Sequence, residues 1–301
     1  MTFITCHHLR IPGILQRIAL CYAISALLYL AMSSPAGEDP TLATDAQSRS
    51  TRTAGELATV IAVILIGYWV LLRYFAVPGF GPARYDSLGY LGAYIDRAVF
   101  TTRHLWAWGL TPGYGVTYDP EGLLSTLPAI ANTLLGVLAG VWLRMSRPAR
   151  SKAADLLYFG ALLFLVAWPL SSLMPINKRI WTSTFGLLSG GVSLLALSVL
   201  YWLLDLRSAP RWTRPAIDFL RIFGTNAIAA FVLSNFITAT LDAIHLDVAG
   251  AAVSLHQAAH RYLFASWLPP RIGSLAYALA IVALNAGLLY PLYRKHIFLR
   301  I

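Results

Sequence analysis

The chain has 301 residues, of which 57% are hydrophobic and 12% charged, and its formal net charge is +10. An ordinary soluble domain carries roughly twice that charged fraction, so the composition argues against a soluble fold. The basic residues stand in short clusters between apolar runs, which argues against nucleic acid as a partner and indicates membrane topology. The lipid bilayer is therefore the first partner that the sequence predicts.

Seven apolar segments are each close to the ~20 residues that an α-helix needs to cross the hydrocarbon core of a membrane. They predict an all-α, polytopic helical bundle with about seven transmembrane helices, forming a single membrane domain over residues 1–301. The predicted spans are residues 11–32, 56–77, 122–145, 152–171, 181–205, 216–241 and 272–294.

Three connections between these spans differ in composition. Residues 33–55 are rich in Ser, Thr, Ala and acidic side chains, which is typical of a flexible solvated loop. Residues 78–121 instead carry Gly, Pro, Tyr and Trp among charged side chains, so we expect an ordered outer loop at the membrane surface. Residues 251–270, with His256 and His260 beside aromatic side chains, favour an amphipathic interfacial helix.

Clusters of basic residues predict the orientation of the bundle. The connection at residues 144–152 holds four cations and no acid, which places it in the cytoplasm by the positive-inside rule. Alternation of the spans then places the basic residues of 207–221 and of the C-terminal 294–300 on the same side. The N-terminus and the loop 78–121 are accordingly expected outside. The chain does not open with the pattern of a cleaved signal peptide, so its first apolar run is interpreted as a retained span.

Two carboxylates, Asp119 and Glu121, directly precede the third predicted span. Acidic side chains at a helix N-terminus cap backbone N–H groups and interact favourably with the helix dipole. One interpretation is therefore a helix cap at the membrane surface. The other is a pair of carboxylates that binds an amine or a sugar hydroxyl in a cleft, and the sequence leaves both open.

Asn177 and Lys178 lie in an outer turn, followed closely by Trp181. A cation on that side departs from the positive-inside rule and needs a partner, for which Asp119 or Glu121 is suitable. The alternative is a lysine that snorkels at the interface beside the tryptophan.

Arg17 falls within the first turns of the first predicted span, where a charge at depth costs up to ~3 kcal/mol, so it is expected to face the bundle interior. Asn132 and Asn226 lie within later spans, where polar side chains most often bond one helix to another. His256 and His260 share a helical face but lack a third ligand, so no metal is expected. The two cysteines indicate no disulfide framework.

Six motifs are distributed over nearly the whole chain. They are LRIPGILQR at 9–17, AYIDR at 93–97 with His104-Leu105, YDPEG at 118–122, PINK at 175–178 with Trp181, GTN at 224–226, and LYRKHIF at 292–298. As a set, and in this order, they resemble the heparan-α-glucosaminide N-acetyltransferases and their bacterial homologues.

The resemblance implies a membrane acyltransferase that takes acetyl groups from cytoplasmic acetyl-CoA and passes them to an amino sugar, a glucosaminide-type acceptor, on the outer side. Acetyl-CoA is then a co-substrate, and no bound cofactor is required. In this interpretation the substrate-binding candidates are Asp119, Glu121, Asn177, Lys178 and Trp181. The candidates for polar contacts in the bundle or for the path of the pantetheine arm are Arg17, Asn132 and Asn226.

In the family the catalytic histidine lies in an outer loop ahead of the Arg-Ile-Pro-Gly motif, which stands here at residues 10–13. We therefore expect the chain to be the C-terminal part of a larger acyltransferase bundle, and we assign no catalytic residue, His7 and His8 included. The sequence leaves four explanations open: a misplaced start, a fragment, a partner half supplied elsewhere, or a loss of the chemistry. It also leaves open whether the chain is inactive on its own.

The alternative from another class is a non-catalytic transporter or binding protein for a glycan or amino sugar. Paired broken helices, one in each half of the chain, would indicate a transporter of this kind. The richness in Ala, Leu and Arg, without a lysosomal targeting context, favours a bacterial inner membrane and a cell-envelope acceptor. The sequence is compatible with a homo-oligomer.

Overall fold

A computed structural model describes residues 9–33, 43–207, 213–248 and 251–299, and these are predominantly helical. Within these ranges, six helices are long and apolar enough to cross a membrane, or seven if one bent pair is counted as a single span. The predicted all-α, polytopic membrane fold is confirmed. His7, His8 and Cys6 lie outside the described residues. The chain divides into two compact units, unit 1 (Met1–Ser208) and unit 2 (Ala209–Ile301).

Unit 1 contains five long helices and a structured connection between the second and third of them. The long helices are α1 (Ile14–Ser33), α2 (Ala43–Tyr74), α4 (Leu123–Arg144), α5 (Ala149–Leu170) and α6 (Ser183–Tyr201). The connection holds α3 (Leu91–Phe100), a 3₁₀ turn (Thr102–His104) and the antiparallel strands β1 (Leu110–Thr111) and β2 (Gly115–Val116). Helix α4 packs against both α1 and α2, and α5 packs against α6.

Unit 2 is built from helices and one short hairpin. Its elements are α7 (Arg214–Thr225), α8 (Ala227–Ala243), β3 (His245–Val248), β4 (Ala251–Ser254), α9 (Leu255–Ala259), a π-helical turn (His260–Phe264) and α10 (Pro270–Arg294). Strands β3 and β4 are antiparallel, with His245 opposite Ser254 and Val248 opposite Ala251. Helix α10 packs against α7 and α8.

The stretch 33–55, expected as a flexible loop, is helical from Ala43 onward, whereas residues 34–42 lie outside the described ranges. The alanine, glutamine and arginine residues between positions 43 and 55 are good helix formers. An ion pair between Arg52 and Glu56, with 2.9 Å between Nε and Oε1, adds the i, i+4 contact that supports an exposed helical face. Helix α2 thus extends well ahead of its apolar part.

The segment predicted as one span at 216–241 consists of two helices, α7 and α8, which meet at an angle of 85°. The break lies at Asn226, whose backbone angles, φ −135° and ψ 47°, are not helical. Apolar composition runs through the break, so hydropathy alone does not reveal it.

Residues 251–270, expected as an amphipathic interfacial helix, begin instead with strand β4 and become helical only from Leu255 to Phe264. The hairpin pairs Leu246 with Val253, and a β-branched side chain favours strand geometry. Ser254 then starts α9 by accepting a hydrogen bond from the backbone N–H of Gln257, at 3.3 Å.

Helices α5 and α6 approach each other closely at two glycines. A Cβ placed on Gly191 would lie 2.7 Å from the backbone nitrogen of Phe164 and 2.8 Å from the carbonyl oxygen of Gly160. Small residues at such crossings allow the backbones of membrane helices to pack directly. This contact therefore depends on the absence of a side chain.

We predict that Gly191→Ala lowers the thermal unfolding midpoint in detergent by several degrees, because the methyl group separates α5 from α6. Gly136→Ala in α4 is the control, since a Cβ there meets nothing within 4 Å and alanine favours the helix by about 1 kcal/mol. Equal midpoints for the two variants would contradict the close contact.

Candidate functional site

A cluster of charged side chains lies where the segment ahead of α1 meets the loop ahead of α4. Arg10 donates from Nε and Nη2 to the two carboxylate oxygens of Asp119, at 2.9 and 2.6 Å. The Nη2 group also pairs with the carboxylate of Glu121. The guanidinium carbon stands 5.9 Å from the ring centroid of Trp106. Two motifs more than a hundred residues apart in sequence are thereby joined.

Asp119 is fully buried and its hydrogen-bonding capacity is well used. Besides Arg10, it accepts from the backbone N–H of Trp106 at 2.8 Å and of Glu121 at 2.9 Å. Arg10 and Glu121 are more accessible, with 32% and 18% of their side chains exposed. Asp119 thus holds the loop in place, whereas Glu121 and the guanidinium of Arg10 can reach a solute.

The pKa of Arg10 stands above its ordinary value. Burial opposes the charged form, but hydrogen bonds and charge attraction from Asp119 and Glu121 outweigh it. The cluster is therefore a permanently charged anchor, with one guanidinium shared between two acidic side chains.

His104 ties the same N-terminal segment to the loop by two further bonds. Its ring Nδ1 lies 2.8 Å from the carbonyl oxygen of Leu9, and its own carbonyl accepts from the backbone N–H of Ile11 at 3.0 Å. Arg97 donates from Nη1 to the carbonyl oxygen of Thr117 at 2.7 Å. The motifs at 9–17, 93–105 and 118–122 therefore come together in unit 1.

Asp96 is a second buried carboxylate beside this cluster. Its Oδ1 accepts from the backbone N–H of Leu123 at 2.9 Å, at the start of α4. Its Oδ2 is buried without a hydrogen-bond partner among the described residues. Gly122 leaves the space for this carboxylate, because a Cβ at residue 122 would collide with it.

The pKa of Asp96 is raised from 3.8 to about 7, chiefly by burial, which disfavours the charged form. The bond from Leu123 and the positive charges of Arg17 and Arg97 act in the opposite direction, while the nearby Asp119 adds to the rise. Asp96 therefore changes its charge near neutral pH.

A second polar group contains three of the residues that the sequence singled out. Arg17 is buried, donates from Nη2 to Ser125 Oγ at 2.6 Å and lies 5.0 Å from the ring centroid of Trp181. The indole N–H of Trp181 donates to Asn132 Oδ1 at 3.3 Å, and Asn132 Nδ2 donates to the carbonyl of Gly186 at 3.2 Å. This chain of contacts crosses from α1 through α4 to α6.

Trp181 has a backbone φ of +50°, a left-handed conformation that bulky residues rarely adopt. Such conformations persist only where the surrounding contacts fix them, and they are frequent at functional sites. Here the cation of Arg17 and the amide of Asn132 hold the indole on two sides.

The structure does not form the ion pair suggested for Lys178. Asp119 and Glu121 are both engaged by Arg10, whose guanidinium bonds the two oxygens of Asp119 through two nitrogens. Lys178 is exposed, and no ion pair involves it among the described residues. Asn177 shapes the turn, since its Oδ1 accepts from the backbone N–H of Arg179 at 2.9 Å.

Asn226, the remaining predicted polar residue, lies in unit 2 and joins two further motifs. Its Nδ2 donates to the carbonyl of Ile297 at 3.1 Å, and its Oδ1 accepts from the backbone N–H of Leu299 at 2.9 Å. The buried amide thus fastens the segment after α10 to the junction of α7 and α8.

His256 and His260 pack in an aromatic group around Tyr277. His256 Nδ1 lies 2.9 Å from Asp242 Oδ1, and both imidazoles pack on Tyr277, with centroid distances of 5.2 and 5.6 Å. No cluster of three or more His, Cys, Asp or Glu suited to a metal occurs in the part of the chain that the structure describes.

An apolar cavity of about 510 Å³ opens between α2, α4, α5 and α6. Its lining contains no charged side chain, so it offers no counter-ion to an ammonium group. A polar acceptor is better matched by the cluster around Arg10.

Comparison with known proteins supports the resemblance that the motifs indicate. The chain is 28% identical over 249 residues to heparan-alpha-glucosaminide N-acetyltransferase of Homo sapiens, and 28% identical over 246 residues to that of Mus musculus. The chain is similar to these acetyltransferases. Each alignment covers 74% of this chain, and the chain spans little more than a third of the relatives' length, 36% and 37%. No family model matches the chain.

Arg10, Asp96 and Trp106 are site residues that the sequence alone did not indicate. Arg10 and Asp96 both lie within the motifs that carry the resemblance, and their place in those motifs could have identified them as site residues. Trp106 contributes mainly its backbone N–H and its ring face, neither of which has a sequence signature.

We predict that the pH dependence of stability reports on Asp96. Because its folded pKa exceeds its unfolded one, the folded state binds the extra proton, so stability falls as pH rises from about 4 to about 7. Asp96→Asn, which keeps an acceptor for Leu123, should remove this part of the slope. Thermal unfolding in detergent across that pH range measures it. An unchanged slope in the variant would show that Asp96 does not titrate there.

Proposed function

We propose that this chain is a membrane acetyltransferase-like protein that acts on an amino sugar of the glucosaminide type, with cytoplasmic acetyl-CoA as the acetyl donor. The observation that supports the proposal is the Arg10 cluster, which unites the motifs at 9–17 and 118–122. The relatives whose sequences the chain resembles carry the name of an N-acetyltransferase.

The reaction sets clear chemical requirements. The neutral amine nitrogen attacks the thioester carbonyl, the carbon–sulfur bond breaks and coenzyme A leaves as the thiolate, and a base passes the proton that the nitrogen loses to this thiolate. The acceptor must be held against the acyl group so that the attack is effectively intramolecular. We assign no described residue of this chain as the base.

Glu121 is the carboxylate best suited to hold the ammonium or a hydroxyl of the sugar, because Asp119 is buried and fully engaged. In this proposal Asn177 and Lys178 brace the sugar from the turn ahead of α6, and Trp181 offers a ring face. Arg17 and Asn132 line the path of the pantetheine arm, and Asn226 serves the polar contacts of unit 2.

The proposed setting is a bacterial inner membrane, with the N-terminus outside and the C-terminus in the cytoplasm. The basic clusters at 144–152 and 294–300 support this orientation through the positive-inside rule. The Arg10 cluster would then face the outer side, where a cell-envelope amino sugar is present.

A non-catalytic transporter is less well supported. Transporters of that kind commonly place substrate between two broken helices that correspond in the two halves of the fold. Within the ranges that the structure covers, a single bent pair occurs, α7 with α8.

The proposal is tested by reconstituting the purified chain in proteoliposomes with labelled acetyl-CoA and glucosamine. We predict acetylated glucosamine, with a KM for the sugar raised at least about tenfold in Glu121→Gln, since a charge-assisted hydrogen bond contributes about 1.5–3 kcal/mol. Glu56→Gln is the matched control, because Glu56 pairs with Arg52 on α2.

A folded chain that transfers no acetyl group would contradict the proposal. Uptake of labelled glucosamine without acetylation would support the transporter instead. Thermal unfolding of each variant establishes that it is folded.

A further inference from the structure

Helix α7 carries its polar residues in one stripe. With about 3.6 residues per turn, positions i, i+4, i+7 and i+11 share a helix face. The residues at these positions are Arg214, Asp218, Arg221 and Thr225. The opposite face is apolar, and it consists of Ala216, Phe219, Leu220 and Phe223.

The apolar face of α7 is open rather than packed into unit 2. Phe219 and Leu220 are 39% and 57% exposed, whereas the buried residue of the helix is Ile222, on a third side. The rings of Phe219 and Phe223 meet edge to face, with centroids 5.3 Å apart. One side of α7 therefore packs against the protein through Ile222, a second side exposes the polar stripe to water, and the third side is apolar and exposed.

The 85° bend at Asn226 determines what the third face can meet. Helix α8 has 17 apolar-rich residues, which is the lower end of the length that spans the hydrocarbon core. When α8 stands across the membrane, α7 lies roughly parallel to its surface. Interfacial amphipathic helices have this arrangement, with the apolar face in the acyl region and the polar face in water.

The charges around α7 are mainly positive. Arg214 and Arg221 are exposed on its polar stripe, and Asp218 is 3.6 Å from Arg221. Arg294 and Lys295, at the end of α10, are also exposed, and α10 packs against α7. Asn226 fastens the segment that follows these two cations to the start of α8. Four cations and one acid thus lie near the same end of unit 2.

We propose that α7 is an interfacial helix that docks on a leaflet of anionic phospholipid. Phe219 and Leu220 enter the acyl region, and Arg214 and Arg221 bind the phosphate groups from the side of the headgroups. Helix α8 alone then forms the spanning part of the segment 214–243. This inference rests on the membrane fold and is independent of the acetyltransferase proposal.

The first test maps the depth of α7 residue by residue. Single cysteines at positions 218 to 221 and at 223, in a Cys6→Ala, Cys21→Ala background, are labelled with a nitroxide and reconstituted in phosphatidylcholine and phosphatidylglycerol vesicles. We expect labels at 219, 220 and 223 to be accessible to oxygen and those at 218 and 221 to an aqueous nickel chelate.

Labels at 219 and 220 shielded from both reagents would show that protein covers this face. Uniform access to the chelate would show that nothing does. Either result overturns the proposal.

The second test separates headgroup charge from apolar insertion. A bimane label on Leu220→Cys is quenched by brominated phosphatidylglycerol or by brominated phosphatidylcholine at equal mole fraction. We expect the anionic lipid to be enriched about fivefold for each arginine that contacts it, and the enrichment to disappear in Arg214→Gln/Arg221→Gln. Arg103→Gln, an exposed arginine of unit 1, should leave it unchanged. Equal quenching by both lipids in the parent protein would contradict the proposed headgroup contacts.

Discussion

The ion pair between Arg10 and Asp119 joins the chain segments that form the candidate site of unit 1. A buried carboxylate is costly unless a cation and several donors compensate it, and here Arg10 and two backbone N–H groups do so. Each of these donors belongs to a different stretch of chain. One side chain therefore sets the positions of the segment ahead of α1, the turn at Trp106 and the approach to α4.

The N-terminal end of α4 also contacts the two other buried charged side chains of unit 1, although Asp96 Oδ2 and Arg17 Nε keep no hydrogen-bond partner among the described residues. Asp96 accepts from the N–H of Leu123, and Ser125 accepts from Arg17. A helix N-terminus offers unpaired N–H groups and a positive dipole end, which favour a nearby carboxylate. Gly122 allows this, because any side chain at that position would meet the Asp96 carboxylate. The motif at 118–122 can thus be understood as a structural joint that leaves Glu121 partly free for a ligand.

The sequence predicted the helical membrane fold well, because the length of an apolar run translates directly into a span. It did not predict the partner of Asp119, since the pairing with Arg10 joins residues 109 positions apart and depends on how the loop folds. The helical stretch from Ala43 and the 85° break at Asn226 were missed for related reasons. The stretch from Ala43 is helical because the helix propensity of several of its residues outweighs its polar composition. The break at Asn226 depends on the hydrogen bonds that the side-chain amide of this residue makes with the C-terminal segment. Among the predicted site residues, Arg17, Asn132 and Trp181 lie together. Lys178 stands apart from the carboxylates of Asp119 and Glu121.

The central claim, that Arg10 and Asp119 act as one unit that organises the candidate site, is tested most directly by a double-mutant cycle. Arg10→Gln, Asp119→Asn and the double variant are compared by equilibrium unfolding in detergent. We predict a coupling free energy of about 1.5–3 kcal/mol, because Arg10→Gln leaves the buried Asp119 carboxylate without its cation and Asp119→Asn removes the charge that Arg10 Nε and Nη2 bind. Free energies that add, with a coupling close to zero, would contradict it.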